Sequence, residues 1–147
     1  MKARLVPAIA LLGLAACVQD NPNPPDGLLR TELGLTDDDR VHRVAVTGGA
    51  SEQADPVALS IEPGSYVEFV TTDGLIHEII FDADSVGREQ WTFLERTDQT
   101  ASPPLIERDT RYVLNFEGAP SGRYPYRLEG NGAAGRGVII VAAPEAR

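Results

Sequence analysis

From residue 41 onward, apolar residues recur at every second position, and the runs are separated by Gly, Pro and Asp. That period belongs to strands with one buried face, and the punctuation belongs to tight turns. The pattern predicts strands over 41–47, 56–62, 66–72, 76–82, 110–116, 123–129 and 137–143. In the second run Val57, Leu59 and Ile61 share a face, and after a Pro63-Gly64 turn so do Val67, Phe69 and Thr71. His77, Ile79 and Phe81 form another buried face, as do Tyr112, Leu114 and Phe116, and then Tyr124, Tyr126 and Leu128. The final run, Gly137 to Val141, is apolar throughout and suits a central strand. Between 85 and 109 the period lapses; Val86, Trp91 and Leu94 fit one face of a short helix capped by Asp84 or Ser85. The chain therefore reads as an all-β sandwich with a short helical or loop insertion near 85–100.

The first forty residues follow a different rule. Lys2 and Arg4 precede a short apolar stretch, Leu5 to Ala16, too brief to span a bilayer, and the run Leu14-Ala15-Ala16-Cys17 closes it. The last four residues resemble the bacterial lipoprotein lipobox. The resemblance implies a signal peptide over 1–16 and acyl chains, palmitate-type among them, on Cys17. Several chains hold a protein on a bilayer far better than one. By resemblance to lipoprotein sorting, Val18 rather than Asp after the cysteine implies the outer membrane, facing the periplasm, if the organism has one. From Val18 to Arg40 there are prolines, isolated leucines and an Asp37-Asp38-Asp39 run with no sustained period, so residues 17–40 are expected to be the acylated cysteine and a flexible tether. A tether of this length would let the domain stand off the membrane by tens of Å. The domain spans 41–143, with a tail at 144–147.

Charge and cysteine content narrow the functions. The chain has 22 acidic and 13 basic residues, a formal net charge of −9, and no lysine beyond Lys2. Phosphate backbones are held by clustered Lys and Arg, so nucleic acid is excluded as a partner. Cys17 has no mate, which excludes disulfides within the chain and leaves stability to packing. Catalysis finds no support: there is no GxSxG, no second thiol, and only His42 and His77 to serve as base. The chain is expected not to be an enzyme.

Three constellations carry possible chemistry. Gly130-Asn131-Gly132-Ala133-Ala134-Gly135 spells GxGxxG, but a strand follows where a dinucleotide site needs a helix, so it reads as a loop. Asp82, Asp84 and Gly87 match a calcium loop at positions 1, 3 and 6, yet Phe93 stands where a bidentate Glu is required. His77 with Asp73, Glu78 or Glu129 has the donor types of a weak zinc or copper site, although alternation turns Glu78 to the other face.

The stretches Ile61-Glu62-Pro63-Gly64-Ser65-Tyr66-Val67-Glu68-Phe69, Asp73-Gly74-Leu75-Ile76-His77-Glu78-Ile79-Ile80-Phe81 and Gly122-Arg123-Tyr124-Pro125-Tyr126-Arg127-Leu128-Glu129-Gly130-Asn131, followed by Gly135 to Val141, resemble the cupredoxins, the plastocyanin-like blue copper family. The resemblance implies a Greek-key β-sandwich and matches ligand positions one by one. His77 holds that of the first histidine, Leu128 that of the cysteine, Asn131 that of the second histidine, and Ala134 or Gly135 that of the methionine. A leucine cannot coordinate copper, and a type 1 site needs its thiolate. No copper cofactor is therefore expected, and Leu128 should pack the position with hydrocarbon. The resulting expectation is a lipid-anchored protein of the cell envelope acting as a binding module for an envelope protein or small ligand. Its contact surface would comprise His77, Glu129, Asn131 and the 130–137 loop. The competing expectation is a metal or electron carrier that uses His77 in an altered site.

Overall fold

The computed structural model describes residues 20–146; the expected signal peptide and Cys17 lie outside the described residues. Eight strands and two helices follow in chain order. They are α1 (Gly27–Leu33), β1 (Val41–Thr47), β2 (Gln53–Asp55), β3 (Ala58–Ile61), β4 (Tyr66–Thr71), β5 (His77–Ile80), α2 (Arg88–Arg96), β6 (Arg111–Asn115), β7 (Gly122–Gly130) and β8 (Gly135–Val141). One sheet has the order β2-β1-β4-β6 and the other β3-β8-β7-β5. Two pairings are parallel, β1 with β4 and β3 with β8; the others are antiparallel. No helix among the described residues is long and apolar enough to cross a membrane.

The alternation read from the sequence sets the inner faces. Val44, Val46, Val67, Phe69 and Leu114 of the first sheet meet Ile79, Tyr124, Tyr126, Leu128, Ile139 and Val141 of the second in one buried core. Aromatic rings interlock there edge to face: Phe69 with Tyr126 at 5.1 Å and Phe116 with Tyr124 at 5.2 Å between centroids. Such geometry sets the positive ring edge against the negative face of its neighbour. β8 lies between β3 and β7, which accounts for its unbroken apolar run.

Four expectations change. Val57 is 61% exposed, because β3 starts two residues later than expected, at Ala58, and only Leu59 and Ile61 reach inward. The three-residue edge strand β2 was not predicted, being too short to show a period. The helix exists, but its N-cap is Gly87 with no side-chain capping bond, rather than Asp84 or Ser85. It buries Phe93 and Leu94, with Trp91 packed at the margin of the core.

The fourth change is the largest. The described part of the expected tether, 20–40, is folded against the body. Asp26 caps α1 by accepting the Leu29 N–H at 2.8 Å, and Gly34 ends the helix in the left-handed region at φ 66°. Asp26 also pairs with Arg111 of β6 at 2.9 Å, while Arg43 Nε of β1 donates to Glu68 of β4 at 2.8 Å. Of the four leucines in this segment, Leu29 and Leu35 are buried, whereas Leu28 and Leu33 are exposed. Two leucines six apart give no recognisable period, yet two buried side chains and a cap suffice to dock a short segment on a body already folded.

Candidate functional site

The site lies where β1, β4 and β7 end and β8 begins. His77 opens β5 on the inner face, and its ring is wholly buried. Both of its nitrogens are taken. Nδ1 lies 2.6 Å from Oε2 of Glu52, whose side chain is also shut off from solvent, and Nε2 lies 2.7 Å from Oδ1 of Asp73. A carboxylate only accepts, so two such partners require an imidazolium that donates from both nitrogens.

The shifts agree. Burial disfavours the charged ring, but the hydrogen bonds to Asp73 and Glu52 and the two negative charges outweigh it, and the His77 pKa lies above the usual histidine range. Asp73 is held down at about 2, first by the Gly48 N–H it accepts and then, against the opposing cost of burial, by His77 and the Leu75 N–H. Those backbone bonds are 2.9 Å each. One Asp therefore fastens the turn after β1, the turn before β5 and the imidazolium.

Sequence reasoning named Asp73 but missed Glu52. Glu52 stands 25 residues before His77 among 22 acids. The available signal was the glycine loop itself. A Cβ at Gly130 would stand 2.3 Å from Glu52 Oε1, and one at Gly135 would stand 2.1 Å from the Glu52 carbonyl oxygen. The loop 130–135 wraps the Glu52 segment, joined to it by the Glu52 N–H to Ala133 oxygen bond at 2.8 Å. Its GxGxxG spelling thus records close backbone approach, and no helix follows it.

The remaining candidates disperse. Leu128 is fully buried on the inner face, opposite Ile79 in register, as hydrocarbon filling. Asn131 is exposed, and its Oδ1 accepts the Ile76 N–H at 3.2 Å. Ala134 is exposed and offers no donor atom to a metal. Glu78 and Glu129 sit directly opposite each other on the outer face, with Glu129 paired to Arg127. His77 itself cannot be part of a contact surface as expected, because it is buried beneath its neighbours; Glu129 and Asn131 are exposed. Around them lie three exposed apolar residues, Leu75, Ile76 and Ile106. Ile76 and Ile106 flank the His77–Leu105 bridge, which brings them side by side.

Solved structures are similar to this chain in fold. The purple cupredoxin from Nitrosopumilus maritimus is 18% identical, with a TM-score of 0.46 over 69% of this chain and 99% of that one. An amicyanin is 16% identical, with a TM-score of 0.47 over 85% of this chain and 95% of that one. A Cu-containing nitrite reductase from Thermus scotoductus is 24% identical, with a TM-score of 0.52 over 76% of this chain and 25% of that much longer one. The fold is cupredoxin-like. At these identities the likeness is one of fold. No family model matches the chain, and no curated protein sequence does.

A cupredoxin-like fold raises the question of copper, and the residues present do not fit it. Of the four matched positions only His77 carries a ligating side chain, and both its nitrogens point at carboxylates. The carboxylates lie on opposite edges of the ring, so their oxygens do not converge on one point with an imidazole lone pair. Among the described residues no group of three or more His, Cys, Asp or Glu side chains is arranged to hold a metal ion. What the arrangement does chemically is structural: an ion triad centred on a buried imidazolium ties the loop between β1 and β2 to the turn before β5. Glu52 Oε1 has no hydrogen-bond partner and faces the cradle formed by Gly48 and Gly130.

Proposed function

We propose that this chain is a lipid-anchored, exported cupredoxin-like module that works by binding a partner in the cell envelope and not by electron transfer or catalysis. The observation that carries this reading is the double engagement of His77, 2.6 Å from Glu52 and 2.7 Å from Asp73, in the position where the fold's copper-binding relatives begin their ligand set. Electron transfer by that route needs an open imidazole nitrogen and a thiolate, and Leu128 supplies no donor. The internal ion triad takes over the metal's other task, joining the loops at that end of the sandwich.

The binding surface in this reading is the exterior of the same end: Leu75, Ile76 and Ile106 as an apolar centre, with Glu129 and Asn131 at its rim. A small apolar centre with a polar margin is the usual anatomy of a contact patch. His77 acts from beneath by fixing the backbone of Leu75 and Ile76. The amino-terminal lipobox, with Cys17 as the acylated residue, supports placement in the envelope, on the outer membrane facing the periplasm.

The test is a titration of metal-free protein with Cu(II), followed by optical absorption and metal analysis. The account expects no intense thiolate-copper band and no stoichiometric copper after desalting. Tight copper retained by wild type and lost in His77→Ala would replace this reading with that of a metal carrier. Capture of envelope proteins by wild type, weakened by Ile76→Glu, tests the binding surface.

A further inference from the structure

The folding of residues 20–40 onto the body fixes the distance between any group attached to Cys17 and the domain. Asn21 Nδ2 donates to the carbonyl oxygens of Asp37 and Asp39, at 3.2 and 2.9 Å. Val41 N–H donates to the Asn23 carbonyl oxygen at 2.9 Å, and Asn23 Nδ2 meets His42 Nδ1 at 3.2 Å. The segment therefore leaves and returns at one place, the start of β1. Between Cys17 and Asn21 there are four peptide steps, which reach at most about 14 Å however the chain is arranged.

That place is one pole of the sandwich. Val41 pairs with Tyr66, so β1 and β4 both begin there; the Glu62-Pro63-Gly64 turn lies beside it, and β8 ends there, with the Ala142 N–H bonded to the Ile61 oxygen at 2.9 Å. The Glu52–His77–Asp73 triad lies at the other pole, beyond the seven residues of β1. At about 3.3 Å per residue this is roughly 20 Å away. Asp37, Asp38, Asp39 and Glu62 make the near pole acidic, and Arg30 and Arg40 offset only part of that charge. Such a surface has no basic cluster to draw it to anionic headgroups, so the acyl anchor alone holds it at the bilayer.

We infer that the acyl anchor holds the Val41 pole of the sandwich against the bilayer and turns the triad pole, with Leu75, Ile76 and Ile106, toward the aqueous side. Residues 20–40 are a docked strap rather than a leash. This rests on acylation of Cys17 as proposed above. It sets the kind of partner that the apolar patch meets: one reaching in from the aqueous space, since the patch lies at the pole opposite the anchored one.

Energy transfer in vesicles tests the inference. Acylated full-length protein, with a single free thiol introduced as Ala143→Cys at the near pole or Ala134→Cys at the far pole, is labelled and floated on phosphatidylcholine vesicles containing an acceptor lipid. Transfer from residue 143 should exceed that from residue 134 several-fold, and the double variant Asp26→Ala/Arg111→Ala, which frees the strap, should bring the two together. Equal transfer from the two positions in floated wild-type background would overturn the docked orientation while leaving anchoring intact. Wild-type protein that floats no better than Cys17→Ser would remove the anchor, and the orientation with it.

Discussion

Oε2 of Glu52 lies 2.6 Å from Nδ1 of His77, and neither side chain touches solvent. A buried carboxylate is costly unless a cation and hydrogen bonds meet it, and here the cation is an imidazolium whose second N–H donates to Asp73. The pair joins the loop before β2 to the first residue of β5. The charged groups facing His77 are these two carboxylates; Glu78 and Glu129 lie on the opposite side of the sheet. Stability, pH response and metal behaviour all follow from this contact.

Removing His77 or Glu52 leaves the other buried without its closest opposite charge. Breaking a buried ion pair from one side costs about 3–5 kcal/mol. His77→Ala and Glu52→Ala should each lower the urea midpoint accordingly, and the double variant should lose much less than the sum of the two. Strict additivity in that double-mutant cycle would contradict the coupling.

The triad should also give the protein an asymmetric pH profile. The His77 pKa is raised on folding, so its contribution is complete below about pH 6.5, the unfolded value, and fades as pH rises through the folded value. The Asp73 pKa falls from 3.8 to about 2, so its contribution is complete above pH 3.8 and is lost as pH falls toward 2. Urea midpoints measured from pH 3 to 10 should decline on both sides for wild type. His77→Gln should abolish the alkaline decline, and an unchanged alkaline limb in that variant would show that another group titrates.

Gly130 and Gly135 make a steric prediction. An added methyl at either would meet Glu52 atoms at 2.3 or 2.1 Å, distances that force the backbone apart. Gly130→Ala and Gly135→Ala should each cost about 1–3 kcal/mol, as overpacking does. Gly74→Ala, where nothing lies within 4 Å, should cost far less. Equal stabilities across the three would refute the close approach.

Asp26 both caps α1 and ties the strap to β6. Asp26→Ala removes the α1 cap, worth about 0.5–2 kcal/mol, and the pair with Arg111. Amide exchange over residues 27–35 should accelerate while the strands keep their protection. Acceleration throughout the domain would mean that α1 is integral to the core.

Most of the sandwich was legible because a half-buried strand writes its burial directly as period two, and His77, Ile79 and Phe81 or Tyr124, Tyr126 and Leu128 obey it. β2 left too few residues to show a period, and Val57 continued an alternation past the end of its strand. The strap was illegible because Leu29 and Leu35 bury themselves through tertiary contact without a local repeat. At the site, the inward packing of Leu128 could be read from period two, since it shares a face with Tyr124 and Tyr126. Glu52 could not, because its role depends on a loop crossing from 25 residues upstream; only the glycines that make room for it left a mark.

The most direct test of the central claim is the ¹⁵N resonances of the His77 ring near neutral pH, recorded before and after Cu(II) is added. The account predicts both nitrogens protonated, two ring N–H signals slow to exchange, and no specific broadening at one equivalent of copper. A ring with one unprotonated nitrogen, its signals lost on stoichiometric copper addition, would contradict it.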